Sequence, residues 1–203
     1  MKLSARDALG VFVRPDPHKM GVLIYGANAM RVALKRQQLV KGLIGSQGEE
    51  EMRLTRLHGG ELRRDSAVLN DAIKAIGFFP GPRVVLVEDA NENCADSVLA
   101  GLKYWQKGDA QLIVIGGALK STSKIRKAFE AHPNAWAIPI FDEPPTRAEV
   151  EAGLAKVGIG DISPEANLAI IELSKVLDPG DFHQFLEKMS LFCMTQSGPV
   201  TIG

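Results

Sequence analysis

The sequence predicts an α/β protein: a five-stranded parallel sheet flanked by helices, followed by a small three-helix lid. Three observations carry that expectation. Short apolar runs alternate with amphipathic segments as far as Ile140, the pattern of repeated strand and helix units. Three of the five runs are almost wholly apolar, as strands covered on both faces must be. Beyond an acidic, proline-stiffened hinge, Phe141-Asp142-Glu143-Pro144-Pro145, every segment carries a helix start signal.

The expected strands are Val22 to Tyr25, Met52 to Leu57, Arg83 to Val87, Leu112 to Ile115 and Ala135 to Ile140. In the second, Met52, Leu54 and Leu57 alternate imperfectly with Arg53 and Arg56, which places it nearer an edge. Between them, the spacing of Met30, Ala33, Leu34, Val40 and Ile44 predicts a helix over Ala29 to Ile44 with those residues inward. Asp65 and Ser66 are positioned to cap a second helix with Val68, Leu69, Ala72, Ile73 and Ile76 on its inner face. Ser97 to Trp105 and Lys124 to Ala131 complete the set, the latter with Ile125, Ala128 and Phe129 inward and Pro133 as its stop. After the hinge, Thr146 and Glu149 form a capping box, Ser163 caps ahead of Pro164, and Asp181 with Gln184 forms a looser box. Gly158 and Asp178-Pro179-Gly180 separate the three helices, the last of which carries Phe182, Phe185, Leu186, Met189 and Phe192 on one side. The expected division is therefore an α/β domain over 1–143 and a helical lid over 144–203.

Composition narrows the function. At 203 residues, 45% hydrophobic and 24% charged, the chain has the profile of an ordinary soluble globular protein. Its 24 basic and 24 acidic residues cancel, which argues against holding nucleic acid by bulk electrostatics. Cys94 and Cys193 lack any paired spacing, and His18, His58, His132 and His183 lack ligand spacing, so no metal site or disulfide framework is expected. No apolar stretch is long enough to span a bilayer, and the N-terminus has no export signal, so a cytoplasmic location without membrane contact is expected.

One motif is conspicuous by its failure. The segment Tyr25-Gly26-Ala27-Asn28-Ala29-Met30-Arg31-Val32 has the strand, glycine and helix layout of a phosphate-binding loop. Such a loop needs a second glycine, a lysine and a Ser or Thr, and Arg31, Val32 and Ala33 stand in those places. Gly26 then serves to turn the chain after the strand. The run Val84 to Val87 ending in Glu88-Asp89 has the shape of a magnesium-binding strand, but without a phosphate cradle its acids have little to act on. No catalytic residue is assigned and no cofactor is expected.

Ile76-Gly77-Phe78-Phe79-Pro80-Gly81-Pro82, between a helix and the third strand, is a further feature. A helix ending with Gly77 at its C′ position, followed by two prolines, predicts a rigid protruding loop carrying adjacent aromatics. Either one ring enters the core or the pair forms an exposed anchor for a partner; full burial of both would contribute on the order of 3–6 kcal/mol before association costs. Lys120, Lys124, Arg126 and Lys127 form a basic cluster that serves as a solvated helix face or as a contact for DNA phosphate, the latter through Lys120, Lys124 and Lys127.

Taken together, YGANAMRVALKRQ (Tyr25 to Gln37), GFFPGPRVVLVEDA (Gly77 to Ala90), SKIRKAFE (Ser123 to Glu130) and LDPGDFHQFLEKMSLF (Leu177 to Phe192) resemble the delta-subunit family of bacterial DNA polymerase III clamp loaders, over nearly the whole chain. The resemblance implies an AAA+ fold whose nucleotide site, here Gly26, Arg31 and Val32, is degenerate. It implies a non-catalytic subunit of a DNA polymerase holoenzyme that binds and opens the beta sliding clamp during replication. Two hydrophobic residues before the third strand wedge into the clamp in that family, matching Phe78 and Phe79, with Ile76 and Gly77 just before them. Implied partners are the clamp, the delta prime and gamma/tau loader subunits, and primer-template DNA within the assembled loader. Family members continue into a helical collar, and this chain is expected to stop, at Gly203, about where that domain begins. Two rival readings stay open on the residues alone: an eroded P-loop kinase or ATPase using Glu88 or Asp89 on magnesium, and a nucleic-acid-binding module using Arg31, Lys35, Arg36 and the Lys120 to Lys127 cluster.

Overall fold

All five strands run parallel, so each connection must cross from one end of the sheet to the other and brings a helix with it. The computed structural model describes residues 1–3, 5–142, 144–193, 198, 200 and 201. In chain order the elements are α1 (Ala5–Val13), β1 (Gly21–Gly26), α2 (Ala29–Ile44), β2 (Leu54–His58), α3 (Gly59–Arg64), α4 (Ala67–Lys74), β3 (Val84–Ala90), α5 (Ala95–Tyr104), β4 (Gln111–Gly116), α6 (Lys124–Ala131), β5 (Ala135–Ile140), α7 (Arg147–Lys156), α8 (Pro164–Val176) and α9 (Pro179–Cys193). The sheet order is β2-β3-β4-β1-β5, which puts the arginine-bearing β2 at one edge, as its imperfect alternation predicts. The other edge is partly covered by the N-terminal residues, where the Leu3 amide donates to the Ala137 carbonyl at 3.1 Å.

The chain divides into two compact units, Met1–Phe141 and Asp142–Gly203. In the first, strand alternation sorts apolar side chains into two cores. Leu23 and Tyr25 of β1 join Leu69, Ile73, Val98, Ile125 and Phe129 on the face covered by α4, α5 and α6. Val22 and Ile24 face Phe12, Leu39, Val40 and Leu43 of α1 and α2. In the second unit, Val150, Leu154, Ile159, Ile170, Phe182 and Leu186 form a separate core for the three helices. Thr146 and Glu149 make the expected capping box of α7, and Ser163 caps α8 ahead of Pro164.

Several sequence expectations need correction. The inner face of α2 is Val32, Leu39, Val40, Leu43 and Ile44; Met30 is exposed, because two residues of helix turn it more than half-way round from Val32 and so away from the core. The second strand starts at Leu54 because the chain is still turning at Met52, where φ is +51°. Asp181 caps nothing: α9 already begins at Pro179, and the Phe182 amide donates to the Asp178 carbonyl at 2.8 Å. On α9, Phe182 and Leu186 are buried while Phe192 is exposed. The helices α1 and α3 are additions that the periodicity did not announce.

Candidate protein-binding loop

The aromatic loop leaves α4 earlier than its sequence suggests. The helix ends at Lys74, and Ala75 takes φ −54° and ψ 136°, so Gly77 is not a C′ glycine and Ile76 leaves the helix before it can join the inner face. Lys74 fixes this exit, its Nζ donating to the Tyr104 carbonyl at 2.8 Å and to Asp109 at 2.7 Å. Ile76 is 96% exposed, Phe78 90% and Phe79 37%, and neither ring belongs to a core cluster. The left-handed turn falls at Gly81, with φ +121°, between Pro80 and Pro82. Exposed Met52 and Ile76 flank a small hollow of about 60 Å³ beside the loop, so the apolar surface extends beyond the two phenylalanines.

The failed phosphate loop has its own internal uses for the groups that would hold a phosphate. The Gly26 amide donates to the Gly117 carbonyl at 3.1 Å, Asn28 accepts from the Arg31 amide at 3.1 Å, and the Val32 amide donates to the Asn28 carbonyl at 3.1 Å. Gly26 is glycine because β5 passes too close for anything larger: a Cβ there would lie 2.4 Å from the Ile140 carbonyl oxygen. Val32 is buried in the core behind the sheet.

The acids at the end of β3 are likewise engaged within the chain. Glu88 pairs with Arg36 of α2, and Arg56 of β2 stands 4.0 Å away. Asp89 meets Nε2 of His58 at 2.9 Å. Because Nδ1 of His58 accepts from the Gly60 amide at 3.0 Å, the ring proton sits on Nε2 and is donated to Asp89. Among the described residues no three His, Cys, Asp or Glu side chains gather where they could hold a metal ion, and no helix is long and apolar enough to cross a membrane.

The basic cluster divides in two. Lys120, Lys124 and Lys127 are exposed, and Lys124 lies beside acids: its amide donates to Glu92 at 3.2 Å and its Nζ is 3.9 Å from Asp96. Arg126 turns inward, donating to Glu130 at 2.8 Å and lying 5.2 Å from the centre of the Tyr25 ring. Burial pushes the Tyr25 hydroxyl above its ordinary pKa, with Arg126 opposing the shift. The hydrogen bond that Arg126 donates to Glu130 raises the pKa of Arg126 in turn.

No protein-family model matches the sequence, and no curated protein matches it either. Solved structures do. The Bacillus subtilis DNA clamp loader delta protein superposes with a TM-score of 0.62 at 14% identity, over 97% of this chain and 60% of that one. The fold is that of a clamp loader delta protein. A chain of the E. coli MS115-1 HORMA:CdnC:Trip13 complex gives a looser likeness, with a TM-score of 0.46 at 14% identity over 96% of this chain and 81% of that one. The chain thus spans 60% of the length of the clamp loader delta protein whose fold it shares. Arg53 and Arg83, which underlie the aromatic loop, read in the sequence only as polar positions within expected strands; the hydrogen bonds that give them a role reach residues 29 and 25 positions away.

Proposed function

We propose that this chain is a non-catalytic clamp-loader subunit that grips a ring-shaped sliding clamp through the loop Ile76-Gly77-Phe78-Phe79. One observation carries the reading: two neighbouring phenylalanines stand outside the core clusters on a loop closed by prolines, Phe78 90% exposed and Phe79 37%. Truncating such a pair in a fully desolvated interface costs about 2–4 kcal/mol of affinity for each dominant ring. The loop favours an open ring over a closed one by binding it more tightly, so opening is driven by differential affinity and needs no bond chemistry in this chain. In this reading the chain is an AAA+ subunit with a degenerate nucleotide site at Gly26, Arg31 and Val32, and it works beside the delta prime and gamma/tau subunits on primer-template DNA. The engaged amides around Gly26 and the ion-paired Glu88 favour it over an eroded kinase or ATPase. Lys120, Lys124 and Lys127 remain the candidate contacts for DNA phosphate. The deciding experiment replaces Phe78 and Phe79 together by alanine and measures equilibrium binding to a purified beta clamp. Loss of binding in a folded protein supports the assignment, and undiminished affinity removes it.

A further inference from the structure

Two arginines lie under the ends of the aromatic loop. Arg53, just ahead of β2, has a side chain only 11% exposed. Its Nη1 donates to the Pro82 carbonyl at 3.2 Å, its Nη2 to the Ile44 carbonyl at the end of α2 at 2.8 Å, and its Nε to Glu51 at 2.7 Å. Its backbone is tied as well, the amide donating to the Gly48 carbonyl at 2.8 Å and the carbonyl accepting from Val84 at 2.8 Å. One residue thus joins the end of α2, the turn before β2 and the exit of the loop. The contact with the loop is close: at Gly81 a Cβ would lie 3.1 Å from Nη1.

Arg83 does the same at the entry. Its Nη2 donates to the Gly108 carbonyl at 2.9 Å, which stretches the side chain along the surface. The stem passes beneath Gly77, where a Cβ would lie 2.7 Å from Cδ of Arg83. Both loop glycines therefore rest on arginine side chains whose hydrogen bonds are anchored elsewhere in the unit.

We propose that Arg53 and Arg83 are positioning residues that hold the Phe78 and Phe79 loop in its partner-ready shape without touching the partner. The inference rests on the clamp-binding reading of the loop. A loop containing two glycines and few internal bonds samples many shapes when unsupported, and apparent affinity falls by the fraction of time it spends in the competent one. If loss of the guanidinium leaves the loop competent one tenth of the time, Arg53→Ala weakens binding about tenfold. Arg53→Lys does not restore it, because an ammonium cannot supply the planar fork that reaches Pro82, Ile44 and Glu51 at once.

The test uses the full 203-residue chain carrying para-fluorophenylalanine at position 78, so that fluorine NMR reports on the loop in the unbound protein. Affinity for a purified beta clamp is measured in parallel, and thermal unfolding confirms that each variant is folded. With Arg53→Ala, the fluorine resonance is expected to sharpen and move toward its unfolded-chain position, and affinity to fall about tenfold. Adding Arg53→Ala to the Phe78→Ala/Phe79→Ala variant should produce no further loss. A parental resonance with parental affinity in Arg53→Ala and Arg83→Ala overturns the proposal. If the double phenylalanine variant binds normally, the clamp-binding reading fails, while the fluorine signal of the free chain still decides whether the arginines order the loop. Should Arg53→Ala fail to fold, Arg83→Ala and Arg53→Lys carry the same comparison.

Discussion

The rings of Phe78 and Phe79 meet edge to face, with centroids 5.4 Å apart and planes inclined at 73°. This arrangement lets each ring order the other while both stay outside the core, at the geometry that aromatic pairs favour. Folding stability therefore owes little to Phe78. Phe78→Ala should change the free energy of unfolding by no more than about 0.5 kcal/mol in a urea titration, as for other surface substitutions. Phe79→Ala should cost somewhat more, in keeping with its smaller exposure. A large loss of stability in Phe78→Ala would show that the ring is structural.

Gly26 gives a contrary expectation. Its neighbour is a backbone oxygen of β5, which cannot move aside without opening the sheet. Gly26→Ala should destabilise the α/β unit by about 3 kcal/mol, the upper range of overpacking costs. Chemical denaturation checks this directly. A variant as stable as the parent would free Gly26 for a ligand-binding role.

Glu88 and Arg36 are each about one-third exposed, so their ion pair is screened and its contribution is modest. Glu88→Gln should lower stability by about 0.5–1 kcal/mol at low salt, and by less at high salt. A double-mutant cycle with Arg36→Ala should show that most of the loss is shared by the two residues. Independent losses would mean that Glu88 serves some other group.

His132 follows α6, and its Nδ1 accepts from the Asn134 amide at 3.1 Å, a bond available only to the neutral ring. Burial first, and the nearby cationic amino terminus second, hold its pKa below the ordinary imidazole value. A histidine depressed on folding contributes stability that is complete above the unfolded pKa of ~6.5 and is lost as the pH falls through the lower folded value. Unfolding free energies of the parent and His132→Gln, measured across that interval, should diverge, the parent falling more steeply with acid. Parallel curves would show that His132 does not contribute to the pH dependence.

Much of this was legible along the chain. The apolar runs at Val22, Val84 and Leu112 are buried on both faces in the sheet, because no other environment tolerates such segments. The loop could be read from Pro80 and Pro82, neither of which has an amide hydrogen to donate to a ladder. The helix α3 was hidden because Gly59-Gly60 looks like a turn, while its start is supplied by a reciprocal cap between His58 and Glu61, a less usual pair for that role.

Local chemistry by itself thus set the parallel sheet, most of its helices and the presence of a proline-bounded aromatic loop, since periodicity, capping and proline geometry act within a few residues. Tertiary structure alone decided the rest: that Ile76 and Phe78 face water, that Asp89 is met by His58 and Glu88 by Arg36, and that Arg53 lies under Gly81. Those outcomes depend on which distant segments arrive at the same place. A side chain's neighbours across a sheet are fixed by strand order and register, and neither is written in any single stretch of sequence.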